Sequence, residues 1–285
     1  MARNRDRLGA RPPTDEDPPS SMLQNNQSAG FSFVVPTDFV ELPSQGKYYS
    51  DDHPLYGQES IEIKQMTAKE EDILTSRTLL KKGIALDRVI QSVILDKRIN
   101  PDTVLVGDRN AIIVAMRIAG YGSDYTTKVV CPSCEVSQEH TFYLHEVSVY
   151  RGEKSEGFGI TDNGDGTFDI PLPRIKATVT FKLLTGHDEK RLLKAIEFSR
   201  KRKTAEKTIT TQLRTMLVAV NGDRSPEALD YLIENIPSMD SRHLRLAYRL
   251  TTPNIDLTQT FECAECDYED DMEVPLTAEF FWPNQ

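Results

Sequence analysis

The chain has four cysteines, which fall into two pairs of equal spacing, Cys131-Pro132-Ser133-Cys134 and Cys263-Ala264-Glu265-Cys266. Thiolates are soft ligands, and a tight turn presenting two of them across a two-residue spacer is half of a tetrahedral four-cysteine zinc site. Short apolar, β-prone stretches flank each pair. Thr126–Val130 and Thr141–Leu144 surround the first, and Leu257–Phe261 and Met272–Leu276 the second. Each pair therefore reads as a hairpin knuckle. Together they predict one structural Zn2+ held by Cys131, Cys134, Cys263 and Cys266.

The two pairs are far apart, with residues 135–262 between them, whereas an ordinary zinc ribbon closes within a few tens of residues. A shared ion would then be a tertiary clasp. Loop-closure entropy rises only logarithmically with length, so such a clasp is tolerable if the intervening fold already brings its ends together. Buried structural thiols, two disulfides and a redox dithiol are the competing readings. A redox pair usually opens a helix, whose dipole lowers the thiol pKa, but strand-like residues follow both pairs here. Disulfides require an oxidising compartment, and no export signal is evident.

Four thiolates close the coordination sphere, whereas a catalytic zinc keeps one position open. His140 and His145 lie near the first pair and read as bystanders to it. His53, His187 and His243 are scattered, and no phosphate loop, serine elbow or His-Glu-x-x-His run is present. The expectation is a non-enzymatic protein with no small-molecule substrate. The formal net charge of -10 argues against phosphate binding. Around the second pair, Glu262, Glu265, Asp267, Glu269, Asp270, Asp271 and Glu273 occur without an intervening Lys or Arg, a surface suited to a basic protein neighbour or simply to water. No apolar run approaches the roughly 20 residues that span a bilayer, so the chain is expected to be made and kept in cytoplasm.

The elements that must position the cysteines follow from periodicity. With 285 residues and 38% hydrophobic content, the chain can bury a sizeable core. Residues 1–30 carry Arg3, Arg5, Arg7 and Arg11, several prolines and few apolar side chains, which predicts a disordered arm. From Phe31 an extended apolar stretch runs to Leu42, and Gln45-Gly46 offers a turn. Thr67–Glu70 is a capping box before a helix ending at Gly83. Leu86–Ile94 and Ala111–Ala119 predict two more helices, the latter stopping at Gly120. Asp162–Gly166 lacks the ligands of a calcium loop and reads as a hairpin turn. A strand over Ile175–Leu184 follows, then a charged helix from Gly186 to the basic run Arg200–Lys203, whose cations offset the helix dipole.

Ile209, Leu213, Met216, Leu217 and Val220 recur at helical spacing up to Asn221-Gly222. Ser225-Pro226 caps a helix carrying Leu229, Leu232 and Ile233. A last helix spans about Asp240–Leu250, before Pro253. Helices thus precede both knuckles, suggesting two roughly parallel halves that meet at the metal. The aromatic run Phe280-Phe281-Trp282 reads as core rather than as a subunit anchor, because exposed it would promote aggregation.

Several stretches together carry a family likeness: Leu42-Pro43-Ser44-Gln45-Gly46-Lys47-Tyr48-Tyr49, Met66-Thr67-Ala68-Lys69-Glu70-Glu71-Asp72-Ile73-Leu74, both knuckles, and Glu279-Phe280-Phe281-Trp282-Pro283. From about Phe39 to its C-terminus the chain resembles the baseplate hub subunits of T-even-type contractile-tailed bacteriophages. The resemblance implies a non-enzymatic protein of the central hub from which the tail grows. Its partners would be other baseplate hub or tail proteins, with neither nucleic acid nor membrane among them. Its place would be the host cytoplasm during assembly and then the virion. The chain is longer than the family leads one to expect, and the arm and the segment Tyr150–Asp169 account for some of the difference. A tail assembly chaperone that binds tape-measure or hub proteins and then leaves is the second reading, and a zinc-ribbon nucleic-acid binder the third.

The fold class expected is α+β, helical segments with short antiparallel strands and two zinc knuckles forming one four-cysteine site. The domain organisation expected is an arm over 1–30, an N-terminal helical half over 31–145 that ends in the first knuckle, and a C-terminal half over 146–285. Deleting residues 1–30 should leave thermal unfolding nearly unchanged by calorimetry, and a large fall in melting temperature would show that the arm packs on the body.

Overall fold

A computed structural model describes residues 35–153, 157–201, 208–276 and 278–281. The expected arm, Phe31, Phe33, Arg202, Lys203, Trp282 and Pro283 lie outside the described residues. The body opens with a hairpin of β1 (Thr37–Glu41) and β2 (Ser60–Lys64), paired antiparallel with Phe39 opposite Glu62. Helices α1 (Ala68–Thr75), α2 (Arg77–Lys81), α3 (Ala85–Val93) and α4 (Val106–Tyr121) follow. Next come the hairpin β3 (Asp124–Val130) and β4 (Ser137–Tyr143), the short strand β5 (Ser148–Tyr150), and β6 (Thr161–Asp162), β7 (Thr167–Pro171) and β8 (Thr178–Lys182). The chain continues through α5 (Gly186–Lys201), α6 (Thr208–Met216), β9 (Leu217–Val220), α7 (Pro226–Asn235) and α8 (Ser238–Thr251). It closes on β10 (Asn254–Asp256) and the hairpin β11 (Thr258–Glu262) and β12 (Glu269–Glu273). The mixture of helices and short antiparallel strands is the expected α+β class.

Where sequence and structure differ, backbone geometry supplies the reason. The helix expected to run to Gly83 breaks at Ser76, whose extended conformation separates α1 from α2. Leu74 before the break is buried, whereas Leu80 beyond it is exposed, so no core face continues past Ser76. Helix α4 passes through Gly120 and stops at Gly122, whose positive φ of 82° other residues adopt only with strain. The strand expected from Ile175 begins at Thr178, because Arg174 and Ile175 sit in a turn whose N–H groups both donate to the buried Asp240 carboxylate. The helical periodicity read through Val220 ends at Met216. Leu217–Val220 instead forms β9, the fourth strand of the sheet β6-β7-β8-β9. A contiguous Leu-Val-Ala-Val run fits an extended ladder against β8, and the two-residue turn Asn221-Gly222 closes tightly behind it, with Val220 and Asp223 exchanging both backbone hydrogen bonds.

Two further local expectations match the structure. Residues Asp162–Gly166 turn β6 into β7, with Asp162 opposite Phe168. Ser225 Oγ accepts from the Ala228 N–H at 3.4 Å, and Pro226 occupies the first turn of α7.

The motif Leu42–Tyr49 gains a physical role. The Asp108 carboxylate, near the start of α4 and 1% exposed, accepts from Ser44 N–H, Ser44 Oγ at 2.6 Å and Tyr49 Oη at 2.7 Å. Tyr49 Oη in turn accepts from the Leu105 N–H at 3.0 Å. The loop is thereby seated on the helix N-terminus.

Helix α4 is the element on which distant segments converge. A Cβ at Gly107 would lie 2.0 Å from the Pro253 carbonyl oxygen, so only glycine permits β10 to approach there. Asn110 Nδ2 donates to Asn254 Oδ1 at 3.1 Å. Strand β10 pairs antiparallel with β5, Ile255 opposite Val149. At the other end of α4, the fully buried Arg117 donates to the carbonyls of Gly122, Asp124 and Phe280. Phe280 and Phe281 are buried, in line with the core reading for that part of the aromatic run. The described residues from Val35 onward form one compact unit.

A second polar hub ties α1 to its neighbours. The fully buried Glu70 carboxylate accepts from Thr67 N–H, Thr67 Oγ1, Ser92 Oγ and Lys64 Nζ. Burial pushes its pKa up, but the hydrogen bonds from Lys64, Ser92 and Thr67 outweigh burial and hold it at about 2, below its ordinary 4.5. Because the folded pKa is depressed, Glu70 adds stability above about 4.5, and that contribution disappears as pH falls toward about 2. Glu70→Gln should destabilise the protein by about 2 kcal/mol at neutral pH and remove this component of the acid limb. Identical acid unfolding profiles for the two proteins would contradict the assignment.

Candidate metal centre

Both cysteine pairs occupy hairpin tips, as their flanking sequences predict. In the first, Val130 of β3 pairs with Ser137 of β4, and the Cys131 N–H donates to the Val136 carbonyl at 2.9 Å. In the second, Glu262 of β11 pairs with Glu269 of β12, and the Cys263 N–H donates to the Tyr268 carbonyl at 2.9 Å. The two turns thus close with the same hydrogen bond, from the first cysteine to the residue five positions on.

The β5–β10 ladder brings these tips together. Strand β5 follows the first hairpin closely and β10 immediately precedes the second, so pairing them launches both hairpins from one place. An aromatic layer then supports them. Tyr125 and Phe142 of the first hairpin and Phe261 of the second are fully buried. His140 packs edge-on against Phe142 and Phe261, with ring centroids 4.6 and 5.3 Å away. Tyr125 meets Phe280 edge-on at 5.0 Å.

Above this layer the four sulfurs converge. Cys131 Sγ lies 3.8 Å from Cys266 Sγ, and Cys134 Sγ lies 3.7 Å from Cys263 Sγ. All four lie within 4.8 Å of one another. None is in a disulfide. Cys131 is fully buried, while the other three reach toward solvent. The cluster is a set of donors that could hold one metal ion, with neither His140 nor His145 part of it.

Burial pushes the Cys131 thiol up, but the backbone N–H groups of Cys134 and Ser133 aim at its sulfur and bring it down to about 7. Cys134 accepts from the Val136 N–H, which lowers its pKa, yet burial and the neighbouring sulfurs drive it up to about 12. Four sulfurs this close cannot all be thiolates without a cation among them, and a bound metal ion would supply that charge.

Two side chains that the sequence did not single out also join the hairpins. The Gln138 amide, from β4, donates to the Glu262 carbonyl at 3.0 Å and accepts from the Ala264 N–H at 2.9 Å. The Gln259 amide, from β11, donates to the Tyr143 carbonyl and accepts from the Tyr143 N–H, both at 2.9 Å. Nothing in their local sequence marks them, because each contact depends on which hairpin lies opposite. The seven carboxylates around the second pair are all exposed.

Residues 35–170 match the family model described as T4 bacteriophage base plate protein. Over that stretch, just under half of its length, the chain is similar to the T4 phage baseplate protein, on a match that includes the first cysteine pair and ends before the second. Neither the curated proteins nor the solved structures yield a match.

Because the four sulfurs form one cluster, Cys131→Ser and Cys263→Ser should lose bound metal and thermal stability to a similar extent. Elemental analysis with calorimetry would reveal it, and one variant fully stable beside one that collapses would rule out a shared site.

Proposed function

We propose that this chain is a T4-type phage baseplate protein, a non-enzymatic subunit of the baseplate hub that acts in hub structure and assembly and is held in shape by a single structural zinc. The convergence of the four sulfurs carries the zinc reading. In a zinc tetrathiolate with bonds of about 2.3 Å, the sulfurs stand about 3.8 Å apart along each edge of the tetrahedron. The cross-hairpin distances of 3.7 and 3.8 Å agree with that edge, whereas disulfide sulfurs lie only about 2.0 Å apart. Soft thiolates favour zinc over hard cations. With all four positions filled by Cys131, Cys134, Cys263 and Cys266, the ion has no open site for substrate, so its work is to clasp the two hairpins.

The hub assignment rests on the baseplate match together with the motif Leu42–Tyr49, which Asp108 seats on α4. Protein partners suit the chain better than nucleic acid does, since the acidic second hairpin repels phosphate. No described helix is long and apolar enough to cross a membrane. The expected places of action are the host cytoplasm during assembly and the finished particle.

Purified protein should contain about one zinc per chain, and mass spectrometry of purified particles should find the chain with other hub proteins. Recovery from infected-cell complexes but never from finished particles would replace the subunit reading with the assembly chaperone. Salt-dependent retention on DNA would replace it with the nucleic-acid binder.

A further inference from the structure

The hydrogen bonds of Gln138 and Gln259 have a direction that matters for the cysteines. Each side-chain amide uses both its N–H and its carbonyl on the backbone of the opposite hairpin, as a neighbouring strand would. Gln138 grips Glu262 and Ala264, the residues on either side of Cys263. It therefore fixes the stretch of backbone that delivers one of the ligands contributed by the second hairpin. Gln259 makes the reciprocal bond at the far end of β4, on Tyr143.

The two bonds act at the two ends of the face shared by the hairpins. One amide beside the sulfurs leaves the hairpins free to pivot about it, whereas a second, distant one removes the pivot. Both glutamines are half-buried, without the deep burial that would make them essential to folding.

We infer that Gln138 and Gln259 are positioning residues for the metal centre: they lock the hairpins in register so that the four thiols stand preassembled before any ion arrives. The inference rests on the zinc reading for its consequence, namely affinity, but the preassembly itself belongs to the metal-free protein. Ligands held in place lose little freedom when the ion binds, and residues that orient ligands typically govern roughly ten- to hundredfold of metal affinity.

Two measurements on the full-length chain test it with Gln138→Leu and Gln259→Leu, which keep side-chain bulk and lose both hydrogen bonds. In the first, Co2+ is titrated into metal-free protein that circular dichroism shows to be folded. Each variant should bind about tenfold or more weakly than wild type, while the cobalt absorption spectrum of the saturated protein keeps its four-thiolate form. An unchanged affinity would overturn the inference, as would a changed spectrum at saturation, which would mean that the glutamines decide which atoms ligate.

The second measurement needs no metal. Diamide takes up the two electrons and two protons released when a thiol pair becomes a disulfide. Treated with it, metal-free wild type should form Cys131–Cys266 and Cys134–Cys263 bonds across the hairpins, identified by peptide mapping. Gln138→Leu should shift the product several-fold toward bonds within each pair. Equal yields of crossed bonds from wild type and variant would overturn preassembly. If wild type binds no metal yet forms the crossed bonds, the zinc reading fails and the preassembly stands.

Discussion

Two hairpin tips, distant in sequence, must arrive at one point, and the short ladder between β5 and β10 is what makes them do so. It closes the long excursion through β6 to α8 at the base of the two hairpins, and α4 supports it through Gly107 and Asn110. Once that ladder is formed, bringing the sulfurs together orders little more chain. A metal clasp across so long a loop would therefore carry no large entropic cost at the ion itself.

Buried polar groups do similar joining elsewhere in the body. Asp108 ties the opening loop to α4, Glu70 ties α1 to β2 and α3, Asp240 ties α8 to the turn before β8, and Arg117 ties the C-terminal segment to the end of α4. Each sits where elements distant in sequence meet, and each uses several hydrogen bonds, as buried charges must. Apolar packing supplies most of the stabilisation; these groups fix which packing is adopted, since a displaced loop would leave a buried charge without partners.

The site was more legible in the sequence than the fold. Paired cysteines with strand-like flanks announce their own geometry, and the Thr67–Glu70 box and Ser225-Pro226 cap are local signals that the structure keeps. Misreadings came where tertiary pairing overrode a local pattern. Leu217–Val220 continues a helical period but finds β8 beside it, and Ile175 continues a strand pattern but is drawn into a turn by Asp240. Gln138 and Gln259 could not be read at all, because a glutamine on a strand carries no local sign of its partner. The baseplate likeness drawn from the motifs agrees with the family match over residues 35–170.

X-ray absorption at the zinc edge of the purified protein is the most direct measurement of the central claim. The clasp requires a single shell of four sulfurs at about 2.3 Å. A shell containing nitrogen or oxygen, or fewer than four sulfurs, would show that the two hairpins do not share one ion.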